Sequence, residues 1–251
     1  MPVHRPTLHA LALVLAVTGA AALAPTAARA DPGYYVVTPY DNEGLRIVDL
    51  RYWTVKMPGR PEVVWPEVGV GYGVNSRWTT ELFMSWVGSA QRAVRPSTLN
   101  WQNQVLLTQG EWPVDVALHL QWVAPQAVNA APHSVEFGPL LQTDVGRTQL
   151  NANLVFERFT GAGRPTQLKL QWQLRHRSGP QWQGGLQGFS ELGPWNDWAP
   201  HAQQSHRAGP AVFGTWRLAQ GATCKLQAAW LLGRTYGRSA SMFSLKAHTE
   251  F

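Results

Sequence analysis

The feature that most constrains this chain is a strict alternation of apolar and polar residues. In "VDVALHLQW" (residues 114–122) every second residue is Val, Leu or Trp, and Asp, Ala, His and Gln lie between them. The alternation recurs in residues 148–156, in residues 167–175 and in the last nine residues, 243–251. A period of two places one face of a strand in apolar surroundings, whereas a helix would scatter these residues around its axis. The chain is therefore predicted to consist of β-strands with two different faces.

About twelve such segments of about ten residues follow one another from residue 45 onward, with turn sequences between them. The predicted strands lie near residues 45–56, 62–72, 77–87, 99–109, 114–123, 134–143, 148–157, 167–177, 181–190, 207–218, 223–232 and 241–251. The links between them alternate in length. "GVNS" (73–76), "GEWP" (110–113) and "DVGR" (144–147) are predicted tight turns, and longer links are predicted at 88–98, 124–133, 158–166, 191–206 and 233–240.

Short turns at one end and longer loops at the other are typical of membrane β-barrels. We therefore predict an all-β fold, a single closed antiparallel transmembrane β-barrel of about 12 strands, with 10 or 14 strands as alternatives. A soluble lipocalin-like barrel is disfavoured because apolar residues would face outward around the whole circuit.

The first thirty residues are predicted to be a cleavable signal peptide. A basic start at Arg5 is followed by the apolar run "ALALVLAVTGAAALA" and by Ala28-Arg29-Ala30, a small-x-small cleavage site. A membrane anchor is the alternative, but about 15 apolar residues are short for a span of about 20. Residues 31–44 are then either a periplasmic lead-in or a segment inside the lumen, and residues 45–251 form the barrel.

Charge and cysteine content exclude several classes of function. Residues 1–30 hold two of the 21 basic residues and none of the 15 acidic ones, so the mature chain carries a net charge of +4. No run of Lys or Arg forms a nucleic-acid footprint, and nucleic acid is not a predicted partner. The single cysteine, Cys224, excludes an intramolecular disulfide. No closely spaced His, Cys and Asp set has the spacing of metal ligands, so neither a metal nor a cofactor is predicted.

The 13 tryptophans fit the barrel hypothesis. Many lie on the outward parity near strand ends, where aromatic side chains form belts at the two membrane–water interfaces. The predicted belts consist of Tyr72, Trp78, Trp182 and Trp216 at one end and Trp86, Trp101, Trp122 and Trp230 at the other. Ordinary core tryptophans of a β-sandwich are the alternative.

The last strand resembles the C-terminal strand of bacterial outer-membrane β-barrel proteins, which typically ends in an aromatic residue, usually Phe. Here Phe243 and Leu245 share a face with the final Phe251. The resemblance implies the outer membrane of a Gram-negative bacterium, contact with its lipid, and recognition of Phe251 by the barrel-assembly machinery. The stretch "VGVGYGVNSRWTTELFMSW" (68–86) is also similar to hairpins of the barrel family associated with meta-pathway phenol degradation, and it implies no residue roles.

The inward parity carries polar residues of both charge signs, which are predicted to line the lumen. These residues are Asp49, Arg51, Glu67, Glu81, Asp115, His119, Glu136, Asn151, Asn153, Lys169, Arg175, Arg217, Lys225 and Lys246. Such a lumen predicts a passive or weakly selective channel for a small solute. A lumen filled by these side chains and closed to solutes is the alternative.

Two other functions stay open at this stage. One is an enzyme that modifies outer-leaflet lipid, with His119 or His206 as its base. No serine accompanies either histidine in a recognisable nucleophile pattern, so no catalytic residue is assigned. The other is a non-conducting structural or surface-interaction barrel, whose long loop, residues 191–206, is predicted to be external and to meet a partner or fold over the mouth.

We predict that deletion of Phe251 sharply lowers the amount of protein in the outer membrane, because an assembly signal acts during insertion. In the finished barrel one ring at the rim stabilises the fold by at most about 1.5–3 kcal/mol, so the variant should still refold in detergent. Cell fractionation and refolding on gels measure the two effects, with His248→Gln as the control. Normal membrane levels of the deletion variant would contradict the assembly-signal hypothesis.

Overall fold

The computed structural model describes residues 34–39, 42–126, 132–161 and 163–251, so the predicted signal peptide lies outside the described residues. Within the described ranges, twelve antiparallel strands close into one barrel. The strands are β1 (Arg46–Lys56), β2 (Val63–Gly73), β3 (Trp78–Ser89), β4 (Arg92–Leu106), β5 (Asp115–Pro125), β6 (Ser134–Val145), β7 (Thr148–Phe159), β8 (Gln167–His176), β9 (Trp182–Pro194), β10 (Ser205–Arg217), β11 (Thr223–Thr235) and β12 (Arg238–Glu250). The predicted fold class and strand number are confirmed.

Two short 3-10 helices, His201–Gln203 and Ala219–Gly221, lie in connections between strands. In the described part of the chain no helix is both long enough and apolar enough to span a bilayer.

Closure of the barrel joins the first and last strands. Each strand pairs with its neighbour in sequence, and β1 pairs with β12 from Ile47↔Glu250 to Lys56↔Ser241. The Phe251 N–H donates to the Arg46 carbonyl at 3.0 Å, and the Arg46 N–H donates to the Phe251 carbonyl at 3.2 Å. The backbone of Phe251 thus continues the ladder, while its ring is 55% exposed. Closure leaves no sheet edge with unpaired backbone groups.

The two faces of each strand differ as the alternation predicts. In β5, Leu118 and Leu120 are about half exposed on the outside, whereas His119 and Gln121 are buried inside. We call the end of the barrel that carries Arg46 and Phe251 the near end, and the opposite end, which carries residues 195–204, the far end. The resemblance to outer-membrane barrels makes the near end the predicted periplasmic end.

The predicted alternation of short and long links is wrong at three places. The links expected at 88–98 and 233–240 are two-residue hairpin turns, because β4 already begins at Arg92 and β12 at Arg238. At the second turn, Tyr236 and Gly237 both adopt positive φ angles, 46° and 77°, as in the tight hairpin turns whose twist matches the strands. The Gly, Arg and Ser residues around this turn are of the kind that predicts a longer loop.

The third difference is at "GEWP", which belongs to an eight-residue connection, residues 107–114, rather than to a tight turn. Side chains organise this connection. The Gly110 N–H donates to the Asp115 carboxylate at 2.6 Å, and the Val116 N–H donates to the Thr108 hydroxyl at 2.8 Å. These hydrogen bonds satisfy backbone groups outside the ladder, so β4 can end three residues earlier than predicted.

Glycines in β2 make room for large side chains of β3. The ring of Phe83 is fully buried over Gly69, where a Cβ atom would overlap it.

We predict that Gly69→Val destabilises the barrel by about 1–3 kcal/mol, because overpacking moves Phe83 from its place beside the Arg51 guanidinium. Guanidinium unfolding in detergent micelles measures this change. Gly184→Val is the matched control, since nothing lies within 4 Å of its Cβ position, and an equal loss in both variants would contradict the packing argument.

Candidate functional site

The lumen is occupied by the chain's own residues 34–39, which we call the lumen segment. Tyr34, Tyr35, Val36 and Val37 are between 1% and 6% exposed. This segment lies outside the strand ladder of the barrel and is held by lumen side chains. The Ser244 hydroxyl donates to the Tyr34 carbonyl at 2.6 Å. The amide of Asn153, on the opposite wall, donates to the Val37 carbonyl at 2.8 Å.

The lumen segment runs along the barrel from the near end towards the far end. Next to it in sequence, the Asn42 carbonyl accepts the Leu45 N–H at the near end. Val37 lies at mid-height beside Asn153. The Tyr34 hydroxyl donates to Glu191, close to the far end of β9. Of the two alternatives for residues 31–44, the described residues 34–39 therefore occupy the lumen.

Tyr34 and Val36 of the lumen segment face an apolar part of the lumen in its far half, which we call the apolar compartment. The Tyr34 ring makes edge contacts with Phe189 at 5.5 Å and with Trp53 at 6.5 Å between ring centroids. Trp53 stacks on Trp65 at 6.3 Å. The compartment is formed by the buried residues Tyr34, Val36, Trp53, Val55, Trp65, Phe189, Ala211, Phe213, Ala229, Leu231, Ala240 and Met242.

Odd-numbered residues of the lumen segment face the opposite side of the lumen. Val37 and Tyr35 pack in a smaller apolar cluster with Leu106, Ala117 and Leu140. The Tyr35 hydroxyl donates to the Gln102 side chain at 3.0 Å. These contacts give the phenol ring a fixed place within the lumen.

The guanidinium of Arg51 links the lumen segment to the near half of the lumen. It lies between two rings, 3.6 Å from the centroid of Tyr35 and 3.7 Å from that of Phe83. Its nitrogen atoms also pair with Asp49 at 3.1 Å and with Glu67 at 3.0 Å. All three charged side chains are buried, so each depends on the others for the stabilisation that water would otherwise give.

A second set of ion pairs lies in the far half of the lumen. The ammonium of Lys169 is 3.2 Å from Glu136 and 3.0 Å from Glu157, on the β6–β8 side. On the β9–β10 side, Arg207 pairs with Glu191, and its guanidinium is 4.1 Å from the centroid of the Tyr34 ring. Glu191 therefore holds both the lumen segment and a buried arginine.

The far end opens into a cavity of about 180 Å³ above these groups. Glu157, Lys169 and Glu191 line it, together with Gln203 and Tyr236. The Tyr34 hydroxyl donates to Glu191, so one lining residue of this cavity also holds the lumen segment.

One group of side chains has the composition of a metal site. Ligand atoms of Asp49, Glu81 and His248 lie within 4.8 Å of one another, and all three residues are buried. However, the Asp49 Oδ2 atom is already 3.1 Å from the Arg51 Nη2 atom and 3.3 Å from the Lys246 Nζ atom. These two cations supply the positive charge that the carboxylates need, so the geometry favours an ion-pair network over a bound metal.

The predicted lumen residues occupy three kinds of position. Those buried in the lumen are Asp49, Arg51, Glu67, Glu81, His119, Glu136, Asn151 and Asn153. Those partly exposed are Asp115, Lys169, Arg175, Lys225 and Lys246, and Arg217 is exposed at the near end. The sequence prediction missed the apolar compartment, although Trp53 and Phe213 share the parity of the predicted polar residues on β1 and β10.

The predicted belt residues lie on the outside of the barrel. Trp101, Trp182 and Trp230 are each more than half exposed, and Tyr72, Trp78 and Trp122 are between 39% and 47% exposed. Trp86 and Trp216 are partly buried, and Trp216 packs against Trp182 with 4.8 Å between ring centroids. Their role at the two membrane interfaces stays a prediction.

The two candidate bases have different surroundings. His119 is 4% exposed in the lumen wall, and in the described part of the chain its Nδ1 atom has no hydrogen-bond partner. His206 lies on the outer face of β10. Its sequence neighbour Ser205 is fully buried on the inner face and accepts the Tyr236 N–H at 3.0 Å, so the two residues do not form a pair.

Comparison with known proteins places the fold among outer-membrane barrels. No protein-family model and no curated protein matches the chain. The crystal structure of the COG4313 outer membrane channel from Pseudomonas putida F1 is similar, with a TM-score of 0.59 and 12% sequence identity over 88% of this chain and 99% of that one. The NanC porin structure is similar with a TM-score of 0.55 and 9% identity, over 81% and 98% of the two chains.

The prediction of a bacterial outer-membrane β-barrel is thereby confirmed at the level of the fold. The similarity to the family associated with meta-pathway phenol degradation is not confirmed.

We predict that Arg51→Met destabilises the barrel by about 3–5 kcal/mol, because it leaves the buried Glu67 carboxylate without its cation and removes one of the two cations beside the buried Asp49. Guanidinium unfolding in detergent measures the change. Arg77→Met is the matched control, since Arg77 pairs with Glu111 at 3.1 Å on the surface, where both side chains are about half exposed. That pair should contribute little to stability, because solvent screens it. Equal losses in the two variants would show that burial of the Arg51 network does not matter.

Proposed function

We propose that this chain is a channel of the bacterial outer membrane for small solutes, and that the lumen segment closes it in the conformation described. The observation that carries the proposal is the lumen segment itself. A barrel whose interior holds an extended stretch of chain has room for a solute along the same path once that stretch leaves.

The attachment of the lumen segment supports its displacement. Because the segment lies outside the strand ladder, it can leave without breaking a backbone hydrogen bond between strands of the barrel. Its Tyr34 and Val37 carbonyls accept hydrogen bonds from the side chains of Ser244 and Asn153. Such contacts can be exchanged for water or for a polar solute.

The walls of the vacated path indicate the chemistry of the solute. Its near half is lined by ion pairs that include Asp49, Arg51 and Glu67. Its far half contains the apolar compartment, together with the buried Arg207–Glu191 pair. A small molecule with an apolar part and a polar group fits both halves better than an inorganic ion, which has no apolar surface to bury against Trp53 or Phe189.

The structural neighbours agree with the proposed class. One is named as an outer membrane channel and the other as a porin. At sequence identities of 12% and 9%, the similarity supports the fold and does not identify the solute. The fold also supports a location in the outer membrane.

We predict that the variant Y34G/Y35S/V36G/V37S conducts ions in planar bilayers at a level well above that of the unchanged protein. The substitutions keep the length of the chain but remove the side chains that fill the lumen. Single-channel recording measures the conductance, and altered mobility of the unheated protein on gels shows that each variant is folded.

The control is W195S/W198S, which removes aromatic side chains that are exposed outside the lumen, 53% and 59% respectively. It should conduct like the unchanged protein. If the folded lumen-segment variant carries no more current than this control, the lumen segment does not close a channel and the proposal is wrong; if neither variant carries current, the chain is a non-conducting barrel.

A further inference from the structure

A serine, a histidine and a glutamine are joined by consecutive hydrogen bonds on the outer face of the barrel. Ser190 on β9 and His206 on β10 are directly opposite each other in the strand register. The Ser190 Oγ atom is 3.0 Å from the His206 Nδ1 atom. The other ring nitrogen, Nε2, is 2.7 Å from the Oε1 atom of Gln204. Nucleophile, base and orienting group are thus all within hydrogen-bond distance.

The surroundings of Gln204 determine which nitrogen of His206 carries the proton. The Gln204 amide nitrogen donates to the Ala199 carbonyl at 2.6 Å, so its oxygen must face the histidine. An amide oxygen only accepts, and the Nε2 atom of His206 must therefore be protonated. The Nδ1 atom is then free to accept the Ser190 proton.

The backbone of Gln204 is fixed as well. Its carbonyl accepts the Gly237 N–H at 3.3 Å, and its N–H donates to the His201 carbonyl at 3.3 Å. The connection after β9 is therefore ordered where it meets the histidine. This is the arrangement that a general base needs, since its ring must keep one orientation while it receives a proton.

The three residues lie where the apolar outer surface gives way to the far-end rim. Leu186, Trp230 and Leu232 are 45–60% exposed on the same outer face, towards the near end. Arg234, which is exposed, is opposite His206 in the β10–β11 register. An apolar surface with a cation at its edge matches a membrane lipid. The acyl chains would lie on the apolar surface and the phosphate beside the cation.

We propose that Ser190, His206 and Gln204 form a second site of this protein, a serine hydrolase site for acyl esters of outer-leaflet glycerophospholipids. This activity is separate from conduction through the lumen and does not depend on it.

The proposed reaction uses only the ester and water. His206 Nδ1 takes the Ser190 proton while the Ser190 Oγ atom attacks the ester carbonyl carbon. The tetrahedral intermediate collapses, the bond to the leaving alkoxide breaks, and His206 returns the proton to that oxygen. Water, deprotonated by His206 in turn, attacks the carbonyl carbon of the acyl-Ser190 ester. The bond between the acyl carbon and the Ser190 Oγ atom breaks, His206 returns the proton to that Oγ atom, and the fatty acid is released.

The sharpest test is covalent labelling of the full-length folded protein by an alkyl fluorophosphonate, which transfers its phosphonyl group to an activated serine with loss of fluoride. We expect peptide mass spectrometry to place the adduct on Ser190. Ser190→Ala should remove it. Ser205→Ala is the matched control, because Ser205 lies one residue from His206 but faces inward.

Hydrolysis of phosphatidylcholine in mixed micelles provides the second readout. His206→Phe should lower kcat/KM about 10²- to 10⁴-fold. Gln204 is a positioning residue, so Gln204→Leu should lower kcat, and Gln204→Glu should restore most of it, because a carboxylate accepts the same Nε2 proton. A merely structural role of Gln204 would not give this restoration.

Either of two results would overturn the proposal. One is labelling that is absent or equal in Ser190→Ala, with all variants folded as judged by gel mobility. The other is release of fatty acid by the unchanged protein at the rate of Ser190→Ala.

Discussion

The rest of the structure depends on the need to pair every backbone N–H and C=O group that meets lipid. Hydrocarbon offers these groups no alternative partner, so a sheet that crosses a membrane must close. Here β1 meets β12 along ten residue pairs, and Arg46 and Phe251 exchange two further hydrogen bonds. Once closure is required, each strand has one face towards lipid and one towards the interior, and the alternation of the sequence follows.

Closure at twelve strands also creates an interior that must be filled. Side chains alone fill a barrel of about eight strands. In this wider barrel an additional extended stretch of chain, residues 34–39, enters the space and is buried on both of its faces. The wall adapts to it differently on the two sides, with Arg51 stacked over Tyr35 and with aromatic rings around Tyr34. The lumen is thus a packed core with charged and apolar regions.

The sequence predicted what the two-residue period controls and missed what depends on contacts between distant residues. The number of strands follows from the count of alternating segments, and the inward position of Asp49 and Arg51 follows from parity. The hairpin at Tyr236 could not be predicted in this way, because a positive φ angle at a tyrosine has no compositional signal. Nor could the line from Ser190 through His206 to Gln204. Ser190 is 14 positions from Gln204 and 16 from His206, and only the register of β9 against β10 brings the serine and histidine together.

The alternation of the lumen segment has a consequence for how it can be seated. Tyr34 and Tyr35 face opposite walls, so a slip of one residue along the barrel would exchange the two walls and place each phenol against the wrong acceptor. Withdrawal by two residues towards the near end would carry the Tyr34 hydroxyl away from Glu191, its acceptor. The contacts of Tyr34 and Tyr35 therefore fix the segment in one register, and partial withdrawal offers it no second position with the same contacts.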